Sequence, residues 1–213
     1  MSTFQPGTKV LVGKKDYWYA AIVGLITAFF GRLLLINNEV PLAYGDFSLP
    51  LWSLFLILPI VEFIAYIIAS KLFSHILFLK QLGRFGIVGL MNVSVDIGVA
   101  TSLRRAFEVE PKSSEMLPIL IVAAAIAIVN SYFWQRMWTF SEKAPPSRKE
   151  FIAFVVVTLI GLGINTGVAY LAIYGISSLD SLSPDRILTL SKILAVSISL
   201  FWNFLGYKFI VFR

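Results

Sequence analysis

LPILIVAAAIAIVNSYFW, residues Leu117–Trp134, runs for eighteen positions without a charged side chain. A helix rises 1.5 Å per residue, and a bilayer core of about 30 Å needs about 20 apolar residues to cross it. This stretch is therefore read as a transmembrane helix rather than as the core helix of a water-soluble domain. Working outward, five more stretches meet the same criterion: Tyr17–Ile36, Leu51–Ser70, Phe85–Leu103, Phe151–Ile176 and Ile187–Phe209. The links between them are short and carry turn-formers such as Asn37-Asn38-Glu39, Pro41, Pro50, Pro111, Pro145-Pro146 and Ser183-Pro184-Asp185. No link is long enough to fold as a soluble domain, so any function lies among the helices or at the two membrane faces. The expected fold is an all-α integral membrane protein of about six transmembrane helices.

Composition gives the same answer. Of the 213 residues, 58% are hydrophobic and 14% charged, against about 45–50% and about 25% in soluble domains. There is too little polar surface here to cover a water-exposed protein. Cysteine is absent, which excludes disulfides and thiolate zinc sites. The net charge of +6 does not point to nucleic acid, because the basic residues form short collars beside apolar segments. The first apolar run ends in Leu-Leu-Leu-Ile-Asn-Asn and lacks a small-residue cleavage site, so it is read as a retained span.

The collars also set an orientation. One side carries twelve Lys and Arg (Lys9, Lys14, Lys15, Lys71, Lys80, Arg84, Arg136, Lys143, Arg148, Lys149, Lys208 and Arg213) against Asp16, Glu142 and Glu150. The other side has six basic residues against seven acids. The positive-inside rule predicts that both termini are cytoplasmic, which requires an even number of spans. His75, between Lys71 and Lys80, falls in a stretch too short to span and is read as an interfacial link with no metal or proton role.

The last four spans carry an internal repeat. A shift of 69 positions sets Phe85–Ala100 over Phe154–Ala169 with 6 identities in 16, aligning Gly98-Val99-Ala100 with Gly167-Val168-Ala169 and Asp96 with Asn165. The segment ends align at a shift of 72, which pairs Arg136 with Lys208 and Phe140 with Phe212. Two-helix units that both enter from one side form a parallel repeat, with its pseudo-twofold along the membrane normal.

Arg84-Phe-Gly-Ile-Val-Gly-Leu-Met-Asn92 followed by Asp96 resembles the opening of GtrA-like membrane proteins. Asn130-Ser-Tyr-Phe-Trp-Gln-Arg-Met-Trp-Thr-Phe140 is similar to that family's second-helix signature, and Ser191-Lys192-Ile-Leu-Ala and Trp202–Phe212 to its fourth-helix motifs. Gln135 and Tyr207 stand where the family has asparagine, and Lys208 where it has arginine. The resemblance divides the chain into an N-terminal extension with two transmembrane helices, residues 1–80, and a four-helix GtrA-like domain, residues 81–213. It implies work on polyprenyl-phosphate-linked sugars: flipping the lipid across the cell membrane for polysaccharide biosynthesis, or assisting a membrane glycosyltransferase.

A charge at mid-span costs about 2.5–3.5 kcal/mol on insertion scales and normally has a partner inside the protein. Asp96 lies one helical turn after Asn92, so the two form one polar stripe. Lys192 either snorkels to the interface or offers a cation to a lipid phosphate; depth argues against a direct pair with Asp96. Glu62 is read as a packing clamp between the two added helices, with Arg32 as a candidate partner, ahead of a proton-coupling role. Arg136 and Lys208, flanked by Trp134, Trp138, Tyr207 and Phe209, make aromatic-basic collars at headgroup depth, with Arg84 as a third cation there. Asn130, Asn165 and Asn203 act as interhelical glue or line a path for the headgroup. Gly161, Gly163 and Gly167 permit close helix approach or a prenyl groove. The candidate lipid-phosphate and sugar site is thus Arg84, Asn92, Asp96, Asn130, Arg136, Asn165, Lys192, Asn203 and Lys208. No catalytic constellation, phosphate-cradling loop or metal-ligand spacing is present in the sequence, so neither enzyme activity nor a cofactor is expected. A homodimer is the expected assembly of so small a carrier.

Overall fold

The computed structural model describes residues 14–37, 42–44, 47–72, 76–110, 112–177 and 184–212. Its helices are α1 (Lys14–Asn37), α2 (Leu54–Leu72), α3 (Leu77–Ala106), α4 (Met116–Trp134), α5 (Arg148–Ser177) and α6 (Pro184–Gly206). A three-residue antiparallel hairpin, β1 (Leu42–Tyr44) with β2 (Phe47–Leu49), follows α1 and pairs Leu42 with Leu49. Among the described residues, six helices are long and apolar enough to cross a membrane, and only 17–28% of each span's apolar window is buried within the protein. Side chains such as Leu117, Ile121, Leu162 and Leu171 are 60–70% exposed. Apolar surface on that scale belongs in lipid. The protein is an all-α, multi-pass membrane protein.

The helices match the expected spans with one shift. α2 continues to Leu72 and α3 already begins at Leu77, so Leu77–Lys80 form the first turn of α3 rather than part of a link. Leu77, Phe78 and Leu79 extend the apolar run that the span needs, and Lys80 is itself buried at 3% exposure. His75 lies outside the described residues.

The chain divides into two compact units, Met1–Ser141 and Glu142–Arg213. In the first, α1 packs against both α2 and α3, and α3 against α4. Asp16 meets Arg84, Phe30 meets Gly98 and the Ile36 carbonyl meets Arg105, a near-constant offset along both chains. α1 and α3 therefore run parallel, as two helices must when one further span lies between them. α1 and α2 are antiparallel: Tyr17 packs on Tyr66, and Gly24 faces Pro59. A Cβ at Gly24 would sit 2.5 Å from the Pro59 Cα, so the small residue is what lets these backbones touch. Ala20, Val23, Tyr66, Val88, Met91, Val95, Ala127, Trp134 and Trp138 form the core of this unit.

In the second unit α5 and α6 form an antiparallel hairpin: Thr158 meets Tyr207, and Asn165 meets Ser199. Both the α3–α4 and the α5–α6 hairpins finish on a five-residue π turn, Gln135–Thr139 and Tyr207–Val211. Each turn is closed by a wide backbone bond, Phe140 N–H to Gln135 O at 2.9 Å and Phe212 N–H to Tyr207 O at 2.8 Å. The two turns occupy positions 72 residues apart, the same register that aligns Arg136 with Lys208.

Candidate functional site

Arg84 organises one end of the first unit. Its Nη2 donates to Asp16 Oδ1 at 2.7 Å and its Nη1 to the Trp138 carbonyl at 3.0 Å, while Trp138 Nε1 donates to the same Asp16 oxygen at 3.2 Å. The Arg84 and Asp16 side chains are only 8% and 14% exposed. The geometry follows from the helix ends. Asp16 occupies the first turn of α1, where the helix dipole favours a negative charge. Trp138 lies in the π turn at the end of α4, where a carbonyl has no helical donor and accepts instead from Arg84 and from the Ser141 hydroxyl. Lys80, one turn before Arg84, and Arg136, in the π turn itself, are also buried. This end of the unit thus holds three buried cations in its helices, and beside them the Tyr19 ring contacts both Trp134 and Trp138. Fixed, poorly solvated cations at an interface are suited to an anionic headgroup.

Halfway along the hairpin, Asn130 Nδ2 donates to Asn92 Oδ1 at 3.4 Å, tying α4 to α3. Asp96, one turn farther along α3, is half-buried, and among the described residues it has no hydrogen bond or ion pair. Glu62 on α2 is 3% exposed with neither carboxyl oxygen bonded, and Arg32 Nε is likewise buried without a partner. The two do not form the ion pair that the sequence suggests.

The second unit answers the same positions with different chemistry. Where Arg84 stands in the first hairpin, a shift of 69 finds Ala153. Its neighbour Phe154 is fully buried and stacks on Tyr207, with ring centroids 4.3 Å apart. The Tyr207 hydroxyl lies 2.7 Å from the Thr158 hydroxyl. Trp202 Nε1 donates to the Val157 carbonyl at 3.1 Å. Lys208 is half-buried, with its ammonium about 6 Å from the Phe204 and Phe209 rings. Asn165 Nδ2 donates to Ser199 Oγ at 3.3 Å, and the Asn203 side chain packs directly on Gly161. Among the described residues nothing lies within 4 Å of where a Cβ on Gly163 or Gly167 would sit, and Lys192 is exposed on α6.

The region holding these two hairpins is also the region matched by a family model. The model described as GtrA/DPMS, transmembrane domain, matches residues 84–212. The chain belongs to the GtrA/DPMS transmembrane-domain family. A relative is the uncharacterized membrane protein YngA of Bacillus subtilis (strain 168), 31% identical over 134 residues, which span 63% of this chain and 80% of that protein. No solved structure matches the chain significantly.

The GtrA/DPMS segment begins at Arg84, yet the carboxylate that neutralises Arg84 lies outside it, in α1. Sequence reasoning listed Arg84 as a cation and missed Asp16 as its partner. The signal was available: only three acids lie on the strongly basic side, and an arginine taken into the bundle requires one of them. Ser199 was missed too, because a lone serine on an apolar helix carries no pattern. Among the described residues, no group of three or more His, Asp or Glu could hold a metal ion.

Proposed function

We propose that this GtrA/DPMS protein flips a polyprenyl-phosphate-linked monosaccharide across the cell membrane for polysaccharide or glycan synthesis. The observation that carries this reading is the pair of equivalent π turns. Each carries one cation, Arg136 or Lys208, in an aromatic-rich turn at the end of a hairpin, and π turns often mark functional sites. In this scheme both termini are cytoplasmic, the hairpins are a parallel repeat, and the collars receive the lipid phosphate. Asn92, Asp96 and Asn130 in the first unit, and Asn165 and Asn203 in the second, each offer hydrogen bonds to the sugar. Lys192 meets the headgroup at the opposite face, and two copies of the chain enclose the path.

A second reading is a non-catalytic anchor or assembly partner for a polyprenyl-phosphate glycosyltransferase. It is favoured by the amide contacts, since Asn92–Asn130 and Asn165–Ser199 satisfy each other within their hairpins, as glue does. Reconstitution separates the two. Purified protein in sealed vesicles is loaded with a fluorescent polyprenyl-phosphate hexose, and exchange between leaflets is followed with a membrane-impermeant quencher. The flippase reading expects faster exchange than in empty vesicles, slowed about tenfold or more in Asp96→Asn and Arg136→Gln, the loss that follows when a charge-assisted contact of about 1.5–3 kcal/mol is removed. Exchange no faster than in empty vesicles leaves the partner reading standing.

A further inference from the structure

Outside the GtrA/DPMS segment, the pair α1–α2 encloses one acidic side chain that the proposed transport path does not use. Glu62 sits one turn beyond Pro59, the residue against which Gly24 of α1 is pressed. Close backbone approach seals this part of the interface, and Glu62 is left 3% exposed with neither oxygen hydrogen-bonded.

The side chain beside it is the Thr27 hydroxyl of α1, 3% exposed. Its single hydrogen is already donated to the Val23 carbonyl at 3.0 Å. Thr27 can therefore offer Glu62 a lone pair but not a donor.

The charged groups of the neighbouring helices do not substitute for a donor. Arg32 of α1 lies on the helix beyond Thr27 and makes no ion pair with Glu62. On the other flank, Tyr66, one turn after Glu62 on α2, leads to Arg84 of α3, which is occupied by Asp16 and the Trp138 carbonyl. The α3 residues in this core, Val88, Met91 and Val95, are apolar. An ionised carboxylate here would be desolvated and unbonded, whereas the neutral acid carries a far smaller burial cost.

We infer that Glu62, buried and unbonded between α1 and α2, is a proton-binding site inside the membrane, held by the N-terminal helix pair. The site exchanges a proton rather than a metal cation, because a single hydroxyl and one carboxyl give too few oxygens to replace a cation's hydration shell. The inference rests on α1 and α2 alone and does not depend on what lipid the remaining helices handle.

Dicyclohexylcarbodiimide tests it, since this reagent adds across protonated carboxyl groups in apolar surroundings. The full chain, in detergent micelles, is treated from mildly acidic to alkaline pH in potassium or sodium chloride, and adducts are located by peptide mass spectrometry. The expected result is an adduct on Glu62 that declines several-fold as pH rises, is unaffected by sodium, and is absent in Glu62→Gln. Size-exclusion elution shows that this variant is folded, and the pH and salt arms on the unmodified protein decide the matter if it is not. An adduct that never forms on Glu62, or one that pH does not change, overturns the proton site. Protection by sodium at fixed pH overturns it in favour of a cation.

Discussion

The α3–α4 and α5–α6 hairpins end alike and are fastened differently. Both close on a π turn carrying a cation, yet the first is locked by an ion pair to a helix outside itself and the second by a stack of its own rings. Backbone geometry recurs at equivalent positions, while the side chains that secure it vary with the neighbours available. The first hairpin has α1 alongside, so a charge on α3 can meet a carboxylate. In the second unit Ala153 stands where Arg84 would be, and the Phe154–Tyr207 stack carries the closure.

The largest test of this contrast is Arg84→Met. It leaves Asp16 buried without its cation, and the loss expected is about 3–5 kcal/mol. Denaturant unfolding in detergent micelles measures it, and the double variant with Asp16→Leu is expected to recover much of the loss. A stable Arg84→Met would show that the ion pair fastens nothing.

Next comes a matched glycine pair. A Cβ on Gly98 would meet Phe30 of α1 at 2.9 Å, while nothing lies within 4 Å of the Gly167 position. Gly98→Val should cost about 1–3 kcal/mol by overpacking, and Gly167→Val should cost nothing measurable in the same unfolding assay. Equal losses would mean that α1 does not distinguish the two hairpins.

Tyr207→Phe keeps the ring stack and removes only the bond to Thr158, so its expected cost is about 0.6 kcal/mol, the usual worth of a hydrogen bond between membrane helices. A loss above about 2 kcal/mol would place the closure in the hydroxyl rather than in the rings. The smallest effect belongs to Lys208→Met. Its contacts with the Phe204 and Phe209 rings contribute no more than about 0.5–1 kcal/mol to stability, whereas retention of protein on vesicles with anionic lipid should fall measurably.

The six spans could be read from the sequence because twenty apolar residues in a row leave few alternatives, and Leu117–Trp134 alone demands lipid. The early start of α3 was hidden by Lys80, a charge that looked like a boundary and is instead buried in the first turn. The aligned glycines were visible as letters, but not that one touches Phe30 and the other touches nothing. Candidate residues clustered only in part. Asn92 and Asn130 met, because residues in facing registers of adjacent antiparallel helices must. The Asp16–Arg84 contact joins residues far apart in the chain, and only the packing of α1 on α3 brings them together.

Because α3 grips α1 through Arg84 at one end and Arg105 at the other, the N-terminal helices cannot be trimmed away like a tag. A fragment beginning near residue 81 would keep every position of the matched segment and still carry a guanidinium stripped of its carboxylate and an empty slot over Gly98. Dissecting this protein by excision would therefore damage the part meant to be isolated.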